Sequence, residues 1–324
     1  MKTQKLAIVG VGHVGEHVLA YASSSDLFGE IIVIDTRENL AFGEALDQAH
    51  ATGLISRQNV NIRSTNDYNE VSDADVIIVS ATYVYPYGEV PADRQELLTN
   101  NAQIIRSIMK NISKVTQDAI IIFITNPADT VVYMAANEFN YPAERIMSTG
   151  CMLDSARLRY VLGRHYQVDP KSVSGYMMGE HGYTAVPVLS HVSIAGIPYE
   201  ELSEHFPDIQ PLSPEDIQEK VVQAAYEVFD NKVGVTNAAV AQSSIELARS
   251  ILLDEHSIYP ISTPLLDGEY GTDKPVAFST PTVVTRKGWT KRFEVTLNDW
   301  EKEKLAESAQ SIRASIELAE SLDE

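Results

Sequence analysis

The chain has 324 residues, 44% of them hydrophobic and 22% charged, with a formal net charge of −20 and one cysteine. That length suits about two domains of ordinary globular composition. Strong acidity repels phosphate backbones and anionic lipid, so nucleic acid and membrane surfaces are excluded as natural partners.

No apolar run approaches the roughly 20 residues needed to cross a bilayer. The first five residues lead straight into a strand with no export-signal pattern behind it, so export is not expected. The lone Cys151 precludes an internal disulfide and fits a cytoplasmic location.

In chain order, short β-branched runs occupy residues 6–9, 31–35, 60–64, 76–81, 120–125 and 146–150. Several are apolar throughout, the pattern of strands buried on both faces. Helices are predicted over 15–22, 40–52 and 94–113, the last carrying Leu97, Leu98, Ile104, Ile105, Ile108 and Ile112 near helical spacing. This alternation predicts an α/β fold, a doubly wound parallel sheet of the Rossmann type.

Beyond residue 150 the predicted helices lengthen, to 154–166, 214–231 and 238–253. Extended runs are predicted over 173–178, 191–197, 258–262, 276–285 and 293–297, with turn signals at Asp267-Gly268 and Lys287-Gly288. The chain ends in a helix with Leu305, Ala309, Ile312, Ile316 and Ala319 on one face. We therefore expect a dinucleotide-binding domain over 1–147 and an α+β substrate domain over 148–324. No low-complexity linker separates them, so close packing is expected.

Gly10-Val11-Gly12-His13-Val14-Gly15 follows the first run and opens a helix, with G-x-G-x-x-G spacing. The first glycine permits a tight turn, the second lets backbone approach a pyrophosphate, and the third lets helix and strand pack closely. Phosphates favour the positive end of the helix that follows. Asp35 stands 20 residues after Gly15, at the end of the second run. A carboxylate there accepts hydrogen bonds from ribose hydroxyls and repels a 2′-phosphate, which selects NAD. Arg37, two residues on, softens that selection. The alternative is a plain turn followed by a solvated aspartate.

Three further segments carry chemistry: Thr125-Asn126-Pro127-Ala128-Asp129, Leu153-Asp154-Ser155-Ala156-Arg157 and Gly179-Glu180-His181-Gly182. Histidine is both acid and base near neutral pH, so His181 suits proton exchange with an alcohol. Asp154 reads either as its orienting carboxylate or as a helix N-cap. Arg157, three residues later on the same helical face, reads either as a carboxylate clamp or as a partner of Asp154. Asn126 reads either as a donor into a site or as part of a simple Asn-Pro turn.

Together with the glycine fingerprint and Asp35, these segments resemble the lactate and malate dehydrogenases, in the same order and over nearly the whole chain. The resemblance implies an NAD-dependent oxidoreductase interconverting L-2-hydroxy and 2-oxo monocarboxylates, built as a homodimer or homotetramer, with no metal. It implies His181, Asp154, Arg157, Arg94 and Asn126 as catalytic residues. Arg157 would hold the substrate carboxylate, Arg94 would close on a mobile loop over the reacting carbonyl, and Asn126 would donate near it. Thr236 would line the substrate pocket. Gly10, Gly12, His13, Val14, Gly15, Asp35, Ala81 and Asn126 would hold the cofactor.

The segment between Ala81 and Arg94 departs from the pattern. It contains neither the extra arginine of malate dehydrogenases nor the glutamine of lactate dehydrogenases. Tyr83, Val84, Tyr85 and Val90 make it longer and partly apolar, closer to the L-2-hydroxyisocaproate dehydrogenases. An L-lactate dehydrogenase with an unusual loop is the alternative. An NAD-dependent glycosidase, or a non-enzymatic member of the family, fits these residues less well.

Overall fold

A computed structural model describes residues 3–54, 59–86, 89–91, 95–232, 236–265 and 268–322. The first half runs β1 (Lys5–Val9), α1 (Gly15–Ser24), β2 (Glu30–Ile34), α2 (Glu38–Thr52), β3 (Asn61–Ser64), β4 (Val76–Val79), α3 (Leu98–Val115), β5 (Ile120–Phe123), α4 (Ala128–Glu138) and β6 (Ile146–Ser148). The second half runs α5 (Met152–His165), β7 (Val173–Ser174), β8 (Met177–Met178), β9 (Val186–Pro187), β10 (Ser193–Ile194), β11 (Ile197–Pro198), α6 (Leu202–His205), α7 (Pro214–Asn231) and α8 (Ala238–Leu253). It finishes with β12 (Ile258–Leu265), β13 (Val276–Thr285), β14 (Gly288–Arg292) and α9 (Asp299–Ser321).

The parallel strands lie in the order β6-β5-β4-β1-β2-β3, so strand order reverses between β1 and β4. In doubly wound sheets ligands bind at the carboxyl ends of the strands beside that reversal. The alternation of a pleated strand divides the core into two layers. Leu6 and Ile8 of β1 pack with Val18 of α1, Ala41 of α2 and Ile245 of α8. Ala7 and Val9 face Ile105 of α3, Val131 of α4 and Ile312 of α9. Every side chain of β4 is fully buried, each contributing about 1.5–3 kcal/mol by area removed from water.

The second half does not build its main sheet apart from the first. Strands β12, β13 and β14 pair antiparallel and join the edge at β6, giving a nine-stranded sheet among the described residues. An exposed β6 edge would be a template for unwanted pairing, and β12 covers it. Smaller antiparallel sheets, β7-β10-β11 and β8-β9, sit beside α5 and α7 over a third apolar cluster that includes Leu158, Leu162, Ile217 and Val221.

Three expectations need correction. Residues 293–297 are not a strand; the strand is β14, whose Trp289–Arg292 segment is half-exposed and polar, so apolar content pointed one segment too far. The run 191–197 is a hairpin that turns at Ala195-Gly196, both at positive φ. Helix α4 has no predicted counterpart, because it is buried nearly all round and shows no polar stripe. No helix among the described residues is long and apolar enough to cross a membrane.

Candidate active site

The glycine loop lies at the strand-order reversal. Gly10 takes φ +92°, and a Cβ there would fall 2.5 Å from the Ala81 backbone, so only glycine fits. The Ser80 hydroxyl donates to the Gly10 carbonyl at 2.6 Å, and the Ala81 N–H donates to the Val9 carbonyl, which locks the ends of β1 and β4 together. A Cβ on Gly15 would sit 2.1 Å from the Gly10 oxygen, so helix α1 starts directly against the loop. Gly12 is different: a Cβ there would meet only the Arg37 side chain, at 3.6 Å. No packing among the described residues demands that glycine. Its smallness leaves an open cradle at the start of α1, which fits a dinucleotide pyrophosphate.

Asp35 follows β2 and lies in the same cleft. Its Oδ2 accepts the Val11 N–H at 2.9 Å, and its Oδ1 accepts the Arg37 N–H at 2.9 Å. The Arg37 guanidinium adds Nε at 3.1 Å and Nη2 at 3.2 Å. Partial burial works to raise the Asp35 pKa, but the Arg37 and Val11 hydrogen bonds outweigh it and hold the carboxyl below the usual range.

The other end of the cleft is built around α5. Asp154 is the third residue of that helix, and its N-cap is Cys151, so Asp154 is not itself the cap. One carboxylate oxygen accepts Arg157 Nη1 at 2.8 Å; the other meets His181 Nδ1 at 2.5 Å. The aspartate thus joins both side chains, and the three are 8–12% exposed. His181 and Arg157 line the cleft, with Asp154 behind them. Cys151 packs with its sulfur 3.7 Å from the Gly179 and Glu180 carbonyl oxygens, and burial pushes its thiol well above the ordinary pKa.

Three elements hold the backbone that carries His181. Gly179 takes φ +85° and exchanges hydrogen bonds with Ser279 of β13. The Glu180 N–H donates to the Ser308 hydroxyl of α9 at 2.6 Å, and the His181 N–H donates to Asp129 Oδ2 of α4 at 2.7 Å. Asp129 ends the quoted 125–129 segment, yet sequence reasoning assigned it no role. Desolvation pushes its carboxyl up to about 7; Glu180 and Asp154 push the same way, and the His181 N–H opposes them.

A second such residue is the fully buried Asn101 of α3. Its Oδ1 accepts the Tyr83 N–H at 2.8 Å and the Thr82 hydroxyl at 3.1 Å, while its Nδ2 donates to the Asn126 carbonyl at 2.7 Å. The side-chain oxygen of Asn126 is buried without a hydrogen-bond partner.

His13, Val14, Ala81, Asn126 and Thr236 all line this one cleft of about 910 Å³. Arg94 lies outside the described residues. Tyr83, Val84 and Tyr85 line the cleft on one side, with Ala225, Tyr226 and Phe229 of α7 also in its wall. Among the described residues no group of three or more His, Cys, Asp or Glu side chains could hold a metal ion.

The chain is 40% identical over 316 residues to an L-lactate dehydrogenase of Selenomonas ruminantium, covering 98% of each chain. It is 41% identical over 313 residues to L-lactate dehydrogenase 2 of Clostridium acetobutylicum, covering 96% of each. Among solved structures it is similar to a Cryptosporidium parvum lactate dehydrogenase complexed with lactic acid and nicotinamide adenine dinucleotide, at TM-score 0.90 and 28% identity over 99% of each chain. It is equally similar in fold to the malate dehydrogenase of that organism, at TM-score 0.90 and 30% identity over 99% of this chain and 100% of the other. The lactate/malate dehydrogenase NAD binding domain family matches residues 4–148, the alpha/beta C-terminal domain family matches residues 151–322, and with both halves matched in order the chain belongs to the lactate/malate dehydrogenase family.

Proposed function

We propose that this NAD-dependent 2-hydroxy-acid dehydrogenase interconverts L-2-hydroxy and 2-oxo monocarboxylates with apolar side chains larger than methyl. The dinucleotide half spans 1–147 and the substrate half 148–324 in this reading. The observation that carries it is the convergence of the glycine cradle, the Asp154–His181 pair and Arg157 on one cleft.

When bound, the nicotinamide supplies the hydride for C2 of the 2-oxo acid and takes it back in the reverse direction. The protein handles the rest. Asp154 holds His181 by Nδ1, which leaves Nε2 to exchange the proton of the substrate hydroxyl, and stabilises the imidazolium. Arg157 has one nitrogen committed to Asp154, and its guanidinium faces the cleft for the substrate carboxylate. Asn126 and Arg94 stabilise charge on the reacting oxygen; the Arg94 assignment rests on its sequence position. Thr236 lines the same cleft as Asn126. Gly10, Gly12, Gly15, His13, Val14, Ala81 and Asp35 hold the dinucleotide.

The side chain of the substrate is the finer part of the proposal. No Lys or Arg stands between Ala81 and Arg94. A second substrate carboxylate would enter the closed pocket unpaired, at a cost of several kcal/mol. Each buried methylene gains about 0.8 kcal/mol against apolar walls such as Tyr83, Tyr85 and Phe229. A plain L-lactate dehydrogenase is the second reading, favoured by the names of the relatives at 40–41% identity. Initial rates on pyruvate, 2-oxoisocaproate and oxaloacetate at saturating NADH separate the readings. We expect kcat/KM for 2-oxoisocaproate to equal or exceed that for pyruvate, with oxaloacetate poor. A strong pyruvate preference returns the chain to the lactate reading, and a strong oxaloacetate preference overturns both.

The lone cysteine, fully buried, supports a cytoplasmic assignment. An outward apolar pair on α2, Phe42 and Leu46, supports a homodimer or homotetramer.

A further inference from the structure

Arg37 is an odd neighbour for the residue that should receive the ribose. Asp35 has two oxygens, and the described contacts fill both: Oδ1 with the Arg37 N–H and Nε, Oδ2 with the Val11 N–H and Arg37 Nη2. A ribose diol can hydrogen-bond this carboxylate only by displacing the guanidinium. The pair is two-pronged, with its arginine end 47% exposed and its aspartate end 7% exposed, so the guanidinium can swing toward solvent only if a new partner replaces the one it leaves. The displaced cation stays at the ribose end of the cleft, since its own backbone follows Asp35 by two residues and caps helix α2.

The same end carries the exposed Thr36 and lies beside the start of α2, the positive end of that helix, both suited to an anion. Glu38 in the first turn opposes them, though its carboxylate accepts the Asn66 amide at 2.7 Å. With a net charge of −20 the molecule repels phosphate at long range, so any phosphate binding here depends on a local cation.

We propose that Arg37 makes the ribose end of this cleft accept a 2′-phosphorylated dinucleotide as well as the unphosphorylated one. The guanidinium changes partner: on Asp35 when the site is open, and on the 2′-phosphate when NADPH enters. This inference rests on the dinucleotide reading of the cleft.

The test is equilibrium binding, without turnover. NADH and NADPH are titrated calorimetrically into the wild-type protein, Arg37→Gln and Arg37→Lys. A hydrogen-bonded ion pair to phosphate is worth about 1.5–3 kcal/mol, or roughly 10- to 100-fold in Kd. We expect the wild type to bind NADPH within about a hundredfold of NADH on that scale. Arg37→Gln should weaken NADPH at least about tenfold and tighten NADH, because it removes the competitor for Asp35. Arg37→Lys should keep most of the NADPH affinity. An unchanged NADPH-to-NADH ratio in Arg37→Gln, or no NADPH binding by a wild type that binds NADH, overturns the proposal. Failure to bind either dinucleotide would instead defeat the dehydrogenase reading itself.

Discussion

A histidine that exchanges protons with a substrate needs one ring nitrogen held and the other open. Asp154 provides the first condition at 2.5 Å, and the cleft provides the second. His181→Gln keeps bulk and polarity but cannot titrate. We expect kcat to fall about 10²- to 10⁴-fold, the usual worth of acid–base catalysis, with the Kd for NADH little changed. Near-normal turnover would remove His181 from that role. Asp129 acts one step away, by holding the His181 backbone. Its folded pKa, about 7, lies above its ordinary value of 3.8. The native state therefore binds more protons than the unfolded chain between those values, and Asp129 makes stability fall as pH rises through that window. Asp129→Asn should remove this slope. Relative to wild type its stability should improve from pH 5 to pH 8, by at most a few kcal/mol. Denaturant curves at both pH values that shift in parallel would contradict the assignment. The family resemblance pointed to His181, Asp154 and Arg157, whereas spacing alone left Asp154 and Arg157 with plainer readings as a helix cap and an intrahelical pair. It left the role of Asp129 hidden, since no spacing rule says which buried carboxylate meets which backbone N–H.

At the scale of elements, the proposed reaction draws on where helix α3 starts and what it grips. Buried Asn101 ties the root of the 82–91 segment to the strand end that carries Asn126. Asn101→Ala leaves the part-buried Asn126 carbonyl and the Tyr83 N–H without their partner. At about 1–3 kcal/mol for each unsatisfied group, a stability loss of roughly 2–6 kcal/mol is expected. At temperatures where the variant stays folded, KM for the 2-oxo acid should rise and kcat fall, while NADH affinity stays near wild type. Loss of NADH binding in step with substrate binding would show that Asn101 supports the fold alone. Elements with a clear period were legible in sequence. The apolar runs of β1, β2, β4 and β5 lie within one or two residues of their predicted places, and α7 and α8 match their predicted spans. Helix α4 was not legible, because eight of its eleven residues are buried and burial on all sides erases the 3.6-residue signal. Strand β14 was not legible either. It is an edge strand whose register follows the turn at Gly288, not an apolar pattern of its own.

For the whole molecule, charge and apolar surface pull in opposite directions. The chain carries −20, so two copies repel each other at low ionic strength. Yet α2 buries Ala41 and Ala45 inward and leaves Phe42 and Leu46 outward, 60% and 43% exposed. These two are one helical turn apart and form a single ridge. In the proposed oligomer this ridge is the surface assigned to a second copy, the partner always present. A stable pair needs about 1,200–2,000 Å² of buried surface, which one ridge can nucleate but not supply alone. Sedimentation at micromolar concentration should therefore give at least twice the chain mass. Raising salt from about 0.01 M to 0.15 M should strengthen association, because the Debye length falls from about 30 Å to 8 Å. The double variant Phe42→Glu, Leu46→Glu would bury two unpaired carboxylates per copy, each costing several kcal/mol, and should dissociate into monomers with unchanged far-UV circular dichroism. A wild type that sediments as a monomer at both salt concentrations would refute the oligomer. A double variant that stays associated would move the interface away from α2.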